Sequence, residues 1–169
     1  DYFNDSQQSQ LKAELLLVAD TVNEQVRAFY CHTTGGRIRF KTDSNYVAVS
    51  TILHEPIKLA HMTGVGTMGY DGDRYVRSFI PHDGKATYEG IIEFEDNKMR
   101  EITINMPLYS GVKTIHIGLQ ESAKIEEATP YKNNKPVLYY GSSITHGGCA
   151  SRPGMSYESI ISRRLGIDY

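Results

Sequence analysis

Five segments of the chain alternate apolar and polar residues, and this pattern constrains the fold more than any other feature of the sequence. A period of two is that of a β-strand with one buried face, because successive side chains point to opposite sides of a sheet. The segments are RIRFKT (37–42), YVAVSTIL (46–53), TYEGIIEF (87–94), EITINM (101–106) and IHIGL (115–119). Their apolar members, which we expect to face one core, are Ile38, Phe40, Val47, Val49, Tyr88, Ile92, Phe94, Ile102, Ile104, Met106, Ile115, Ile117 and Leu119.

Polar clusters separate these segments and predict the turns between strands. They are TDSN (42–45), GYDGD (69–73), PHDGK (81–85) and EDNK (95–98). Short strands joined by such turns are typical of an antiparallel sandwich. The sequence therefore predicts a mainly β chain, with a jelly-roll-like antiparallel β-sandwich over residues 1–125. Before the first strand, Val22, Val26, Phe29 and Tyr30 share one helical face, which predicts an amphipathic helix over 21–32 that ends at Gly35-Gly36.

A change of pattern near residue 125 predicts a second domain. Residues 126–135 lose the alternation and are polar, which is typical of a linker. The run PVLYY (136–140) is continuously apolar, as in a strand that is buried on both faces of a parallel sheet. A helix should follow from Tyr157, with Ser156 as its N-cap and Gly166 as its end. One strand and one helix cannot enclose a core, so we expect residues 136–169 to pack on the sandwich or on a second copy of the chain.

Composition narrows the class of protein. Of the 169 residues, 40% are hydrophobic and 22% charged, as in a folded globular chain, and the net charge is −2 without charge runs. We therefore expect a soluble protein that does not bind nucleic acid or a membrane. No apolar run approaches the ~18 residues of a membrane span. Because the chain begins with Asp1, we expect a piece of a longer protein; its compartment stays open, and export from a bacterial cell is compatible with it.

The segment YYGSSITHGG (139–148) carries the candidate chemistry. A hydroxyl between a buried strand and a helix sits on a short turn near unpaired backbone N–H groups, which can stabilise an oxyanion. Ser143 is the candidate nucleophile. On spacing alone, however, an ordinary Gly/Ser turn is the favoured interpretation.

A resemblance to a known family favours the nucleophile over the ordinary turn. Residues 138–165 resemble the first motif block of the SGNH or GDSL-type hydrolases, in which Gly-Asp-Ser-x-Thr-x-Gly corresponds here to Gly141-Ser142-Ser143-Ile144-Thr145-His146-Gly147. Ser142 replaces the usual Asp, and a Gly-Ser-Ser-Ile-Thr version belongs to a two-domain branch with an N-terminal β-sandwich. The segments NMPLYSGVKTIHIGL and IRFKTDS resemble that sandwich. The resemblance covers about residues 20–166.

This resemblance implies a serine esterase that acts on acylated carbohydrates or small esters without a cofactor. It implies that residues 136–169 begin an SGNH (flavodoxin-like) α/β catalytic domain, with its first β-α unit. Ser143 would be the nucleophile and its own N–H an oxyanion donor, with Gly141, Ser142, Thr145 and Gly147 as the motif loop. The catalytic His and Asp would come from a later Asp-x-x-His block, which this chain lacks, so we expect the chain alone to be nearly inert.

Other residues are weaker candidates. Arg152 could contact a substrate carboxylate or close against the sandwich, and the two interpretations are equally supported. His146 could replace the missing base, but an ordinary loop residue is favoured. The six histidines show no metal-site spacing, so we expect no metal; Asp71 and Asp73 fit a hairpin better than a calcium loop. Cys149 fits a small structural residue better than a reactive thiol.

Two non-catalytic functions stay open beside the esterase. The sandwich could be a carbohydrate-binding or substrate-positioning module, with tyrosines as stacking platforms, although tyrosines in strands usually pack in the core. Alternatively, it could cap a catalytic domain or form a homodimer.

Overall fold

The computed structural model of the chain describes residues 18, 21–68, 70–72, 77–81, 85–133 and 135–169. The chain forms two compact units, residues 1–32 and residues 33–169. All the described strands lie in the second unit. No helix within these residues is long and apolar enough to cross a membrane.

A short helix, α1 (Glu24–Phe29), lies in the first unit. The side chain of Asn23 caps it by accepting a hydrogen bond from the N–H of Val26 at 2.9 Å. The helix predicted over 21–32 is confirmed in its centre, but it ends at Phe29, before the glycine pair. No residue of α1 is buried, so its apolar face is exposed.

The second unit contains two antiparallel sheets. The described strands are β1 (Arg37–Thr42), β2 (Tyr46–Leu53), β3 (Tyr70–Gly72), β4 (Ser78–Phe79), β5 (Thr87–Glu93), β6 (Arg100–Asn105), β7 (Val112–Gly118) and β8 (Ile125–Glu127). One sheet has the strand order β4-β3-β6-β1-β8 and the other β5-β2-β7. A short helix, α2 (Gly64–Met68), lies between β2 and β3.

Both sheets contribute side chains to one hydrophobic core. Every apolar residue that the alternation predicts as inward-facing belongs to this core or packs against it. Val47 and Val49 of β2 are 1% and 2% exposed, and Ile104 of β6 in the other sheet is 6% exposed. The prediction of a mainly β, antiparallel fold is therefore confirmed.

Three strands, β3, β4 and β8, lie where the sequence predicts none. β3 occupies the centre of GYDGD, which we predicted as a turn, and pairs with β4 and β6. β8 overlaps the start of the predicted linker and pairs with β1. Each has at most three residues, so pairing with a longer strand, rather than local pattern, decides its conformation. The predicted turn PHDGK lies partly outside the described residues, which omit 82–84.

The apolar run 136–140 is not a strand in this structure. Leu138 and Tyr140 are 91% and 99% exposed. The run lies beside the C-terminal residues, where the N–H of Val137 donates to the carbonyl of Asp168 at 2.9 Å. The prediction of a buried parallel strand is wrong here, because no described strand pairs with the run.

The last helix, α3 (Tyr157–Leu165), confirms the predicted helix and both of its ends. The side chain of Ser156 accepts a hydrogen bond from the N–H of Ser159, and Gly166 ends the helix in a left-handed conformation with φ 67°. The buried residues of the helix are polar, namely Glu158, Ser159 and Ser162. Its apolar Leu165 is 55% exposed. The helix therefore packs on the rest of the unit by its polar side.

Candidate active site

The glycine-rich segment 141–149 forms a compact loop of consecutive turns. Three backbone hydrogen bonds close it: His146 N–H to the Ser142 carbonyl (3.0 Å), Gly147 N–H to Ile144 (3.0 Å) and Gly148 N–H to Ser143 (2.7 Å). These bonds satisfy donors inside the loop, so its shape is set largely by its own backbone.

Ser143 lies near the start of this loop with its side chain exposed. Its carbonyl oxygen accepts two hydrogen bonds, from the Gly148 N–H at 2.7 Å and from the Tyr109 hydroxyl at 3.3 Å. Its own hydroxyl makes no hydrogen bond with another described residue. The backbone of the candidate nucleophile is therefore held in place while its Oγ is accessible.

Two other motif residues pack against each other. A β-carbon at Gly141 would stand 2.2 Å from Thr145 Oγ1, so only glycine fits there without a shift of the threonine. The Thr145 hydroxyl in turn lies 3.1 Å from the hydroxyl of Tyr157 on α3. Gly141 and Thr145 thus connect the loop to the following helix.

Residues 107–110, which follow β6, pack against the loop, and we call this segment the seat. Leu108 is 1% exposed and lies directly beside Gly147, which has a φ of 85°. A β-carbon at Gly147 would stand 2.8 Å from Leu108 Cδ1. The hydroxyl of Thr34 donates to the Leu108 carbonyl and also lies 3.4 Å from the His146 carbonyl oxygen, so Thr34 contacts both the seat and the loop.

His146 is engaged with this seat. Its ring packs against Tyr109 with the centroids 4.4 Å apart, and it forms a hydrogen bond with the backbone of Leu108. Burial lowers the pKa of His146 below its usual 6.5, and the bond to Leu108 opposes this shift. The ring is therefore neutral at pH 7, but its contacts support a structural role rather than that of a substitute base.

The helix α2 contacts the chain just after the loop. The hydroxyl of Thr63 donates to the carbonyl of Ser151. A β-carbon at Gly66 would stand 2.5 Å from the carbonyl oxygen of Ala150. The Gly66 carbonyl also accepts the N–H of Leu108 at 3.2 Å, so α2, the seat and residues 150–151 are packed together.

Arg37 of β1 joins the sheet to α3 and the residues that follow it. Its guanidinium donates to Ser162 Oγ at 2.9 Å and to Asp168 Oδ1 at 2.6 Å, and lies 4.0 Å from the centre of the Tyr169 ring. Burial raises the pKa of Tyr169, whose hydroxyl lies 2.6 Å from Ser159 Oγ. Residues 136–169 thus pack on the β-sheets, the first of the two arrangements expected from the sequence.

A comparison with protein families identifies the chain. Residues 17–125 match the family model GxDLY, described as the N-terminus of SGNH-hydrolase-type esterases, over more than half of the chain. The chain belongs to the GxDLY family. Residues 134–169 match the GDSL-like lipase and acylhydrolase family, so the resemblance to a two-domain SGNH hydrolase is confirmed. The comparison with curated proteins found no match.

Solved structures also resemble this GxDLY chain. A protein from Bacteroides ovatus ATCC 8483, assigned as a GDSL-like lipase, is 28% identical with a TM-score of 0.80, covering 90% of this chain and 47% of its own. Salicylyl-acyltransferase SsfX3 from a tetracycline biosynthetic pathway is 20% identical with a TM-score of 0.67, covering 89% and 42%. At that identity the second likeness concerns the fold alone. The chain spans about half the length of these structures.

The structure of this GxDLY chain gathers Gly141, Ser142, Ser143, Thr145 and Gly147 in one loop. Arg152 lies beyond that loop, half-buried at the start of the 3-10 helix Pro153–Met155, and its contact with a substrate stays a prediction. The thiol of Cys149 is exposed. Among the described residues, no group of three or more His, Cys, Asp or Glu side chains could hold a metal ion.

Sequence reasoning missed the residues that support the loop from the two-sheet part of the chain, residues 33–127, which we call the β domain. Thr34, Leu108 and Tyr109 are far from the motif in the chain and carry no spacing signal. The segment NMPLYSGV entered the prediction as a resemblance to the sandwich, with no role for Leu108, and Tyr109 was considered only as one of the tyrosines that could stack on a sugar or pack beside a strand. Their roles follow from the pairing that brings residues 107–110 under the loop.

Proposed function

We propose that this chain is the N-terminal part of an SGNH-type serine esterase that acts on acylated carbohydrates or small esters, with Ser143 as its nucleophile. The observation that carries the proposal concerns Ser143. Its side chain is exposed and its hydroxyl makes no hydrogen bond with another described residue, whereas its carbonyl accepts hydrogen bonds from Gly148 and Tyr109. The match of residues 134–169 to GDSL-like lipases and acylhydrolases supports it.

The proposed reaction is acyl transfer through the serine. Ser143 Oγ adds to the ester carbonyl carbon as a general base removes its proton, and the negative charge that develops on the carbonyl oxygen is accepted by backbone N–H donors. The C–O bond to the alcohol then breaks, and the alcohol leaves with the proton. Water attacks the acyl-serine in a second step and releases the acid.

A general base for Ser143 is not evident among the described residues. His146, the histidine nearest in sequence, is bonded to Leu108 and packed on Tyr109. We propose that the base belongs to an Asp-x-x-His block outside this chain, as the family resemblance implies. Loss of such a base lowers turnover by about 10⁶-fold in a serine protease, so we expect residues 1–169 alone to be nearly inactive.

Exposed apolar side chains support a larger catalytic domain. Leu138, Tyr140 and Leu165 are 91%, 99% and 55% exposed. They lie on the apolar run and on the helix that, as the resemblance implies, would belong to an α/β domain. Apolar patches of this kind mark surfaces that another element covers. We propose that further strands and helices of the catalytic domain pack there and convert residues 136–140 into a strand.

Two adjacent serines make a matched test in the full-length protein. Ser143→Ala should abolish hydrolysis of p-nitrophenyl acetate and labelling by a fluorophosphonate, whereas Ser142→Ala should retain both, because both serines are exposed and only Ser143 is the proposed nucleophile. Full activity of Ser143→Ala would disprove the nucleophile assignment. Loss of activity in both variants with loss of folding would be resolved by mass-spectrometric location of the fluorophosphonate on the wild-type protein.

A groove on the outer face of the three-stranded sheet favours a second candidate, a saccharide-binding β domain. Its volume is about 490 Å³, and its floor includes Ala48 and Gly118. Ser50 donates to Glu89 at 3.0 Å beside it, and His116 lies opposite Ser50 on β7. Oligosaccharide titrations that detect binding to the wild type and its loss in Glu89→Gln would support this function. Absence of oligosaccharide binding at millimolar concentration would contradict this function.

A further inference from the structure

The hydroxyl of Tyr109 reaches from the β domain to the backbone of the candidate nucleophile. Its O–H donates to the Ser143 carbonyl oxygen at 3.3 Å. The same oxygen accepts the N–H of Gly148 at 2.7 Å, which closes the loop on itself. Ser143 is therefore held by one bond from within the loop and by one from another part of the chain.

The ring of Tyr109 makes a separate contact with the same loop. It packs against the imidazole of His146, three residues after Ser143, with the centroids 4.4 Å apart and the planes at 41°. The neighbouring Leu108 fills the space beside Gly147 and bonds to His146 through its backbone. Tyr109 thus fixes the loop at two points, one through its hydroxyl and one through its ring.

The position of the Ser143 carbonyl affects the groups that would do chemistry. The carbonyl and the N–H of one residue are linked through its two backbone dihedrals, so a bond that holds the carbonyl restricts the directions of the N–H and of Cβ–Oγ. Misplacement of a reacting group by about 1 Å can lower a rate by about 100-fold. A bond at this carbonyl therefore acts on the reaction without touching the substrate.

We propose that Tyr109 is a positioning residue of the β domain, whose hydroxyl orients Ser143 for acyl transfer. This inference rests on the proposed function of Ser143. It gives the β domain a direct part in the reaction that is distinct from carbohydrate binding and from covering the site.

The phenol should act only as a donor over the working pH range. Burial raises the pKa of Tyr109 above its usual 10.0, and the charge of Cys149 raises it further. The O–H therefore stays protonated between about pH 6 and 9. Removal of the hydroxyl should lower the rate by the same factor at every pH in that range.

The test uses the full-length protein and two tyrosine-to-phenylalanine variants. Tyr109→Phe removes the hydroxyl and keeps the ring on His146. Tyr46→Phe is the matched control, because its hydroxyl also donates to a backbone carbonyl, that of Leu119 at 2.9 Å, within the β domain. The kcat and KM for p-nitrophenyl acetate and the Tm are measured for each protein from about pH 6 to 9.

We expect Tyr109→Phe to lower kcat about three- to tenfold with little change of KM, as for the loss of one neutral hydrogen bond. Tyr46→Phe should lower the Tm at least as much and leave kcat unchanged. Equal kcat values for the two variants would overturn the inference. A kcat ratio that changes with pH would also overturn it, because Tyr109 would then be a proton donor or acceptor in the reaction.

A second measurement separates this inference from the proposed function. Hydrogen exchange of the Gly148 N–H, which shares the Ser143 carbonyl with Tyr109, should become faster in Tyr109→Phe and not in Tyr46→Phe. If Ser143→Ala remains active, the proposed function fails, and exchange still reports whether Tyr109 holds the loop. If Ser143→Ala is inactive and Tyr109→Phe is fully active, the positioning role alone fails.

Discussion

Leu108 occupies the space beside Gly147 where a side chain would otherwise lie, since a β-carbon at Gly147 would stand 2.8 Å from Leu108 Cδ1. Gly147 also has a φ of 85°, in the left-handed region that residues other than glycine rarely adopt. The contact between Leu108 and Gly147 connects the candidate nucleophile loop to the β domain. Substitutions at such contacts should reveal how strongly the two parts depend on each other.

Gly147→Ala should lower the free energy of unfolding by about 1–3 kcal/mol, because the positive φ and the contact with Leu108 both disfavour a methyl group. Chemical denaturation measures the effect. Gly118→Ala is the control, since its new β-carbon would lie 3.3 Å from Ala48 Cβ, on the outer face of the sheet, without a positive φ. Equal stabilities of the two variants would contradict the role of Gly147.

Gly90→Ala should destabilise the core by about 1–3 kcal/mol. Gly90 of β5 faces the other sheet, and a β-carbon there would stand 2.0 Å from Cδ1 of Phe79, which is 7% exposed on β4. The Phe79 ring therefore occupies the space that a side chain at 90 would fill. Chemical denaturation beside the same Gly118→Ala control tests this, and an unchanged midpoint would show that Phe79 can move aside.

Arg37→Lys should cost about 1–2 kcal/mol of stability, because lysine has one donor nitrogen, whereas the planar guanidinium uses one nitrogen for Ser162 and another for Asp168. Solvent weakens the ion pair in part, because the Asp168 side chain is 43% exposed. As a control, Lys98→Ala removes an ion pair with Asp96 whose lysine side chain is 84% exposed, and should leave the unfolding midpoint nearly unchanged, because solvent screens exposed ion pairs. Similar unfolding midpoints for the two variants would refute a special role for Arg37.

The stability of the protein should fall as the pH decreases below about 6.5, in part through His146. Burial lowers the pKa of His146 in the folded state, so the unfolded state binds more protons in the window below 6.5. His146→Phe keeps an aromatic ring on Tyr109 and should make the free energy of unfolding less dependent on pH between about pH 5 and 7. A stability curve of His146→Phe that runs parallel to that of the wild type across this range would exclude His146 as the source.

The strands show how far local pattern reaches. The alternation in β1, β2, β5, β6 and β7 was sufficient to predict each strand and the face that it buries, because a period of two places every second side chain on the same face. The ends of α3 were equally predictable, since Ser156 and Gly166 satisfy the helix termini locally. These features depend on neighbours within a few residues.

The apolar run 136–140 and α1 show where local pattern is insufficient. Both have the apolar side chains of buried elements, yet Leu138 is 91% exposed and no residue of α1 is buried. Burial requires a partner surface, and an apolar pattern does not specify where that surface is.

The sequence by itself determined the antiparallel strands, the helix that follows the loop, and Ser143 as the candidate nucleophile. Only the tertiary structure placed Tyr109 on the Ser143 carbonyl, Leu108 beside Gly147 and Arg37 on Asp168. The physical reason is separation along the chain: a motif is written in consecutive residues, whereas these contacts join residues whose proximity is created by the pairing and packing of the sheets.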